Sequence, residues 1–384
     1  MLLFNYRNRL LLQYYKILLI ELIINKMYKK PTIYDVAKAA NTSAATVSRV
    51  LSKSKYPVKK ELKEKVIKEA KNLKYIPNLI GKQLKNKKSN DIGVIIPNIT
   101  NQFYPQLILG IEHVARNLGY NVLLCNSQRD ARNEKNYLKS LLQKQIEGII
   151  ISSLQNNHKY LGQLIENGSK IVVFDQNISF NCNKVILDFE KVGYLAAKHL
   201  IEMGHKEIGF ISAPLNKYSR SMIYKGFMNS LIEFNIDINK EYILVSDEEY
   251  EFHDEIYEYR NGRILAMKML SNKNFPTAIF CINDMTAIGV MRTLQNNNIK
   301  IPEDISIVGF DNIPISQMVS PSLTTIDQCT YKMGKIATKV LIKALKENNS
   351  NNTSIFLEPY LVVRESTKKY GTYNQNKKMK RLFF

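Results

Sequence analysis

The chain has 384 residues, with 55 Lys+Arg against 34 Asp+Glu and a formal net charge of +21, a length that accommodates one small domain and one or two larger ones with sizeable cores. Residues 27–90 hold 17 Lys+Arg and 4 Asp+Glu, a net of +13, while residues 91–366 hold 28 and 29, a net of −1. That distribution excludes a lysine enrichment spread evenly along the chain and points to a basic head suited to phosphate, followed by a near-neutral body.

Residues 1–26 are strongly apolar, but Arg7, Arg9, Lys16 and Glu21 interrupt them, so no run approaches the ~20 apolar residues of a spanning helix. No small-residue cleavage site precedes the lysine-rich stretch, which argues against an export signal. Met27 stands five residues before Thr32, and translation is expected to start there; an amphipathic extension is the alternative.

Residues 32–51, TIYDVAKAANTSAATVSRVL, predict two short helices joined by a polar turn. Ile33, Val36, Ala37 and Ala40 share one helical face, with Thr32 as N-cap and Asp35 in the first turn. Asn41-Thr42 breaks the period, and Ser43 is placed to cap the second helix. There Val47, Val50 and Leu51 are expected to point inward, leaving Ser43, Ala44, Ala45, Thr46, Ser48 and Arg49 outward. A small, polar face with an arginine suits entry into a DNA major groove, where small side chains permit close approach and arginine forks onto guanine. The plain alternative is a three-helix core with no ligand.

A third helix is expected from about Lys59 to Leu73, with Leu62, Val66, Ala70 and Leu73 covering the first two and a solvated Lys/Glu face opposite. Tyr75-Ile76-Pro77 stops it, because the residue before proline is pushed out of helical backbone. Asn78 can cap a further short helix carrying Gly81, Lys82 and Leu84. That segment reads either as a linker or as a basic helix whose Leu84 wedges between base steps in a minor groove.

Beyond residue 90 the pattern becomes strand then helix: DIGVIIPN, a helix around Gln106 to Leu118, then NVLLCNS, EGIIISS, KIVVFDQ and KVILDF. A second set follows with EIGFISAP, YILVSD, TAIFCIND and SIVGFDN. Apolar, β-branched runs without alternation predict parallel strands buried on both faces. The fold class is therefore a small all-α head and an α/β body of two doubly wound parallel-sheet subdomains. Ligands in such sheets bind at the carboxyl ends of strands, where this chain carries Asn101, Phe103 and Tyr104; Ser127; Asp175; Asn283 and Asp284; Asp311 and Asn312. Carboxylates, amides and adjacent aromatics suit a polyhydroxylated or heterocyclic ligand, although an Asp after a strand is often a helix N-cap and Phe103-Tyr104 could be core. No GxSxG, GxxxxGK[ST] or HExxH motif occurs, so neither enzyme chemistry, a metal nor a cofactor is expected. Cys125, Cys182, Cys281 and Cys329 lie far apart and read as reduced core residues of a cytoplasmic protein.

From Thr32 to about Thr367 the chain resembles the lactose/galactose-repressor (LacI/GalR) family of transcription regulators. The resemblance is carried by residues 32–51, LKYIPN, IGVIIPNITNQFY, HLIEMGHKEIGFI, PTAIFCINDMTAIG, ISIVGFDN, PSLTTI and LVVRES, in that order. It implies a homodimer binding a palindromic double-stranded operator. Each chain would supply a helix-turn-helix, a hinge helix and a core like a periplasmic sugar-binding protein. The family pattern assigns Ser43 to Thr46, Ser48 and Arg49 to the recognition helix and Leu84 to the minor-groove wedge. Phe103, Tyr104, Asp175, Asn283 and Asp311 then surround an effector cleft. The implied layout is a non-native or flexible extension at 1–26, head at 27–76, hinge and linker at 77–90, core at 91–366, and a disordered basic tail at 367–384.

Three departures shape the expectation. Ala44 and Ala45 offer only methyl contacts, which places base hydrogen bonding on Arg49. Gly81 replaces the usual hinge alanine, at a cost of ~1 kcal/mol to that helix. Sugar- and purine-responsive members often carry Arg three residues before a Gly-aromatic pair; here Gly226-Phe227 has Ile223 there, and Arg220 one turn further back. The expected function is a repressor controlled by a small-molecule effector, a sugar or related metabolite. A regulator tuned by a protein corepressor is one alternative, and a periplasmic-type solute-binding protein is another, which the basic head opposes.

Overall fold

The computed structural model describes residues 30–52, 56–76, 89–153, 159–174, 181–247, 256–272, 274–347 and 352–371. The chain divides at Lys87/Lys88 into two compact units.

Among its described residues the first unit has three helices, α1 (Ile33–Ala39), α2 (Ala44–Leu51) and α3 (Lys60–Asn72). A capping box starts α1: the Thr32 amide donates to Asp35 Oδ2 at 2.7 Å while Thr32 Oγ1 accepts from the Asp35 amide at 3.4 Å. Ser43 Oγ accepts from the Thr46 amide at 3.2 Å to start α2, so two of the donors orphaned at a helix start are satisfied locally. Asn41, in the turn between them, takes φ 53°, a left-handed backbone that asparagine tolerates. Val36, Val47 and Val66 meet at zero exposure in the middle. Leu51 and Leu62 pack partly against them, as does Tyr75 beyond the end of α3. Leu73, expected to cover the core, is instead 36% exposed, because α3 ends at Asn72 and the chain turns through Lys74 at φ 51°. Ala44 is also not fully outward: it lies half-buried against the core.

The second unit contains two six-stranded sheets, ordered β11-β5-β4-β3-β1-β2 and β12-β10-β9-β8-β6-β7. The first sheet, wholly parallel, comprises β1 (Asp91–Ile96), β2 (Asn121–Asn126), β3 (Gly148–Ile151), β4 (Lys170–Phe174), β5 (Asn183–Leu187) and β11 (Ser354–Leu357). The second comprises β6 (Ile208–Ser212), β7 (Ile243–Val245), β8 (Ala278–Cys281), β9 (Ser306–Asp311), β10 (Thr324–Asp327) and β12 (Tyr360–Val362), of which only β12 runs antiparallel. All nine expected strands form. The three that the apolar-run criterion passed over, β10, β11 and β12, are only three or four residues long and hold threonine, serine or tyrosine among their apolar residues. NVLLCNS is a corrected case: β2 is an edge strand with Leu123 and Leu124 exposed, not a strand buried on both faces.

The connecting helices are α4 (Phe103–Asn117), α5 (Ala131–Gln143), α6 (Lys159–Glu166), α7 (Phe189–Glu202), α8 (Tyr218–Glu233), α9 (Tyr257–Leu270), α10 (Asp284–Asn296) and α11 (Thr330–Lys346). They pack in backbone-close pairs α7/α8, α9/α10 and α4/α11. In the first pair a Cβ on Gly193 would fall 1.8 Å from the Ile223 carbonyl oxygen, and one on Gly226 equally near that of Glu190. Only hydrogen fits between these helices, which is the packing reason for the Gly226-Phe227 pair. The last described residues are not a free tail: the Tyr370 amide donates to Met203 O at 2.7 Å, and Ser366 Oγ donates to the Ile307 carbonyl at 2.6 Å. The expected disordered tail at 367–384 is thus corrected for residues 367–371, which are held by β9 through Lys368 and by the end of α7 through Tyr370.

No helix among the described residues is long and apolar enough to cross a membrane, and none of their His, Cys, Asp or Glu cluster with metal-binding geometry. All four cysteines are free thiols; Cys182 and Cys281 are buried, Cys125 and Cys329 half-buried.

Candidate functional site

On the first unit, Val47 and Val50 bind α2 to its neighbours and leave Ser43, Ala45, Ser48 and Arg49 exposed. Thr32 is also exposed. Thr46 is half-buried, with its hydroxyl 3.0 Å from that of Ser43. The outward row therefore keeps a hydroxyl pair at its start and a cation in its last turn. Asn78, Gly81, Lys82 and Leu84 lie outside the described residues, as does Asp175.

In the second unit, the strand ends of the two sheets face each other across a cleft, the position at which ligands of doubly wound sheets bind. Asn101, Phe103, Tyr104, Asn283 and Asp311, all singled out in the sequence, line it. Phe103 and Tyr104 belong to the first turn of α4 rather than to a preceding loop, and stack edge to face at 5.0 Å. Asn283 caps α10, accepting from the Thr286 amide at 2.8 Å, so its capping and cleft roles coincide. Asp311 ends β9 at φ 122°, followed by Asn312 at φ 53°, two successive sparsely populated backbones of the kind found at functional sites.

Three expected cleft residues are elsewhere, among them Asn312, whose side-chain amide donates to Asp327 Oδ2 and accepts from Arg364 Nη2. Ser127 is fully buried and donates to the Ile96 carbonyl at 3.2 Å, closing the turn after β2. Asp284 is also fully buried: Oδ1 accepts from the Thr325 hydroxyl at 2.6 Å and Oδ2 from the Ile313 amide at 3.0 Å. Burial pushes its carboxyl up to about 7 against those hydrogen bonds. It ties β10 to the chain just beyond β9, a structural role different from the N-cap expected of an Asp following a strand, which Asn283 fills instead.

The cleft also holds residues that no motif marked. Arg129 comes from the turn after β2, Lys217, Ser219 and Arg220 from the start of α8, Glu258 from α9 and Gln328 from the end of β10. Arg220 reaches the cleft although Ile223 occupies the expected arginine position; its Nη1 donates to the Pro214 carbonyl at 3.2 Å. Glu258 bridges the subdomains: its Oε1 accepts from Asn101 Nδ2 at 2.9 Å and from Arg129 Nη2 at 2.6 Å, both from the first subdomain. The Arg129 and Glu258 side chains are only 11% and 2% exposed. Glu258 Oε2 is buried with no hydrogen-bond partner, an acceptor that a ligand hydroxyl or N–H would satisfy. Arg129 follows Gln128 through two successive left-handed residues, which no sequence pattern signals, and Glu258 follows a long acidic stretch in which nothing distinguishes it.

A family model described as bacterial regulatory proteins, lacI family, matches residues 32–78. Another, periplasmic binding proteins and sugar binding domain of LacI family, matches residues 89–362. The HTH-type transcriptional repressor PurR of Aliivibrio salmonicida (strain LFI1238) is 33% identical over 340 residues, 88% of this chain and 99% of the relative. The protein of that name from Histophilus somni (strain 2336) is 34% identical over the same coverage. Among solved structures, the lac repressor dimer bound to operator and the anti-inducer ONPF superposes with a TM-score of 0.78 at 27% identity, over 88% of this chain and 100% of that one. A LacI family regulator from Enterococcus faecium with bound ribose gives 0.65 at 27%, over 73% and 99%.

Proposed function

The chain belongs to the LacI family of bacterial regulatory proteins, and from that premise we propose that it is a cytoplasmic, homodimeric repressor that reads a palindromic operator under the control of a small-molecule effector. It is a regulator and not an enzyme, as its repressor relatives are. In this reading residues 27–76 form the DNA-binding head, 77–90 the hinge and 91–366 the effector and dimerisation core. Ser43, Ala44, Ala45, Thr46, Ser48 and Arg49 face the major groove, with Thr32 at the phosphates. Asn78, Gly81, Lys82 and Leu84 form the minor-groove segment.

The observation that carries the proposal is the union, in one chain, of a capped helix pair presenting Arg49 and a two-subdomain cleft with an unsatisfied buried carboxylate oxygen. The cleft offers amides, carboxylates and cations around Phe103 and Tyr104, which suits a ring bearing hydroxyls, a sugar or related metabolite. A bare solute-binding protein has no use for the head. Because linkage is reciprocal, the effector and the operator must change each other's affinity by the same factor. Thermal-shift screening of the purified protein against sugars, sugar phosphates and purines, repeated with operator DNA, tests this. A hit that shifts both unfolding and operator affinity supports it; hits that leave operator affinity unchanged refute effector control.

A further inference from the structure

We infer that Tyr56 is a specificity-determining positioning residue: an aromatic platform that holds the Arg49 guanidinium ready to read a guanine, an inference that rests on the reading of the first unit as an operator-binding head. The guanidinium carbon of Arg49 lies 4.1 Å from the centroid of the Tyr56 ring. Tyr56 is 57% exposed, too open to serve the head's core, which is built from Val36, Val47, Val66 and their neighbours. Two local features put the ring there. Helix α2 stops at Ser52, whose Oγ donates to the Arg49 carbonyl at 3.3 Å. Pro57 then restricts Tyr56 to extended backbone, and Val58 anchors the returning chain against the core.

The chemistry follows from which parts of the guanidinium the ring occupies. Stacking uses its face and leaves the in-plane N–H donors at its edge. A guanine is read by two such donors, at O6 and N7. A free arginine must give up rotamer entropy to make that fork, and a ring that already holds the side chain reduces the loss on binding. With alanines at positions 44 and 45, no hydrogen bond from those side chains compensates if Arg49 is misplaced. Tyr56 thus acts on specificity through Arg49, without itself touching a base.

The test is binding-site selection from a randomised duplex pool with the full-length protein and its Tyr56→Phe, Tyr56→Ala and Arg49→Ala variants. The selected duplex then competes against the same duplex with its guanine replaced. Wild type and Tyr56→Phe should select one motif with an invariant guanine in each half-site. Tyr56→Ala should lower the preference for that guanine roughly two- to fivefold, the scale of an exposed cation–π contact. Its binding to unrelated duplex, the salt dependence of that binding and its circular dichroism should match wild type. The inference is overturned if Tyr56→Ala keeps the full guanine preference, if it weakens selected and unrelated duplex alike, or if Tyr56→Phe behaves as Tyr56→Ala. Retention of the guanine by Arg49→Ala, or a wild type that selects no motif, would instead remove the operator-reading role beneath it.

Discussion

In the head, Thr32, Ser43 and Arg49 are placed by the caps and periodicity of α1 and α2, through hydrogen bonds spanning three residues. In the cleft, Asn101 and Glu258 meet across 157 positions of sequence, and Arg129 and Glu258 across 129. One region is local and open, the other long-range and buried. The head's surface can therefore vary in its readout at little cost to folding. The cleft's polar groups hold the two subdomains together as well as lining the cleft, so change there is felt by the whole body.

The largest effect expected from this contrast is at Glu258. Glu258→Ala removes the buried carboxylate that binds Asn101 and Arg129 across the two subdomains and should destabilise the body by about 1.5–3 kcal/mol in chemical denaturation. A loss below about 1 kcal/mol, the scale of an exposed pair, would erase the distinction between cleft and head. Next, Arg49→Ala should cost about 1–3 kcal/mol of discrimination between the operator and a guanine-substituted duplex, with no change in the unfolding midpoint. A fall in that midpoint would mean that the arginine is structural. Thr32→Ala removes the capping box of α1 and should lower the stability of the head by about 1 kcal/mol. Differential scanning calorimetry should then show the body transition unmoved.

The smallest expected effect is a pH dependence belonging to the second subdomain. Burial holds the imidazoles of His199 and His205 below their ordinary range. The unfolded chain therefore takes up protons first as pH falls. Their contribution to stability is complete above about 6.5 and is lost as pH drops through the lower folded values. His205 is bonded to Thr277, Ser306 and the Lys368 carbonyl, so His205→Gln should flatten the acid limb of the unfolding midpoint. An unchanged limb would place the proton uptake elsewhere.

Legibility followed the same divide. Five cleft residues were readable because they sit in or just after strand-end motifs: Asn101, Phe103, Tyr104, Asn283 and Asp311. Asp284 shared the motif of Asn283 but, as the next residue on α10, points beneath the cleft to Thr325. One position along a helix start was enough to exchange a place in the cleft lining for a buried brace. Ser127 likewise follows a strand but turns inward to the Ile96 carbonyl. Arg129 and Glu258 were invisible because the bonds that join them and Asn101 span 129 and 157 positions, which no local pattern registers, and Arg220 was set aside because the family position beside it holds Ile223.

By itself the sequence determined the helix pair of the head, its caps and outward arginine, and nine strands of the two sheets. Each depends on contacts or periodicities within a few residues, which composition and spacing encode directly. The tertiary structure alone decided that β10, β11 and β12 complete the sheets and that β2 lies at an edge. It also decided that a carboxylate on α9 joins the two walls of the cleft. Those outcomes depend on which distant surfaces meet, and burial and pairing between distant residues leave no period in the chain.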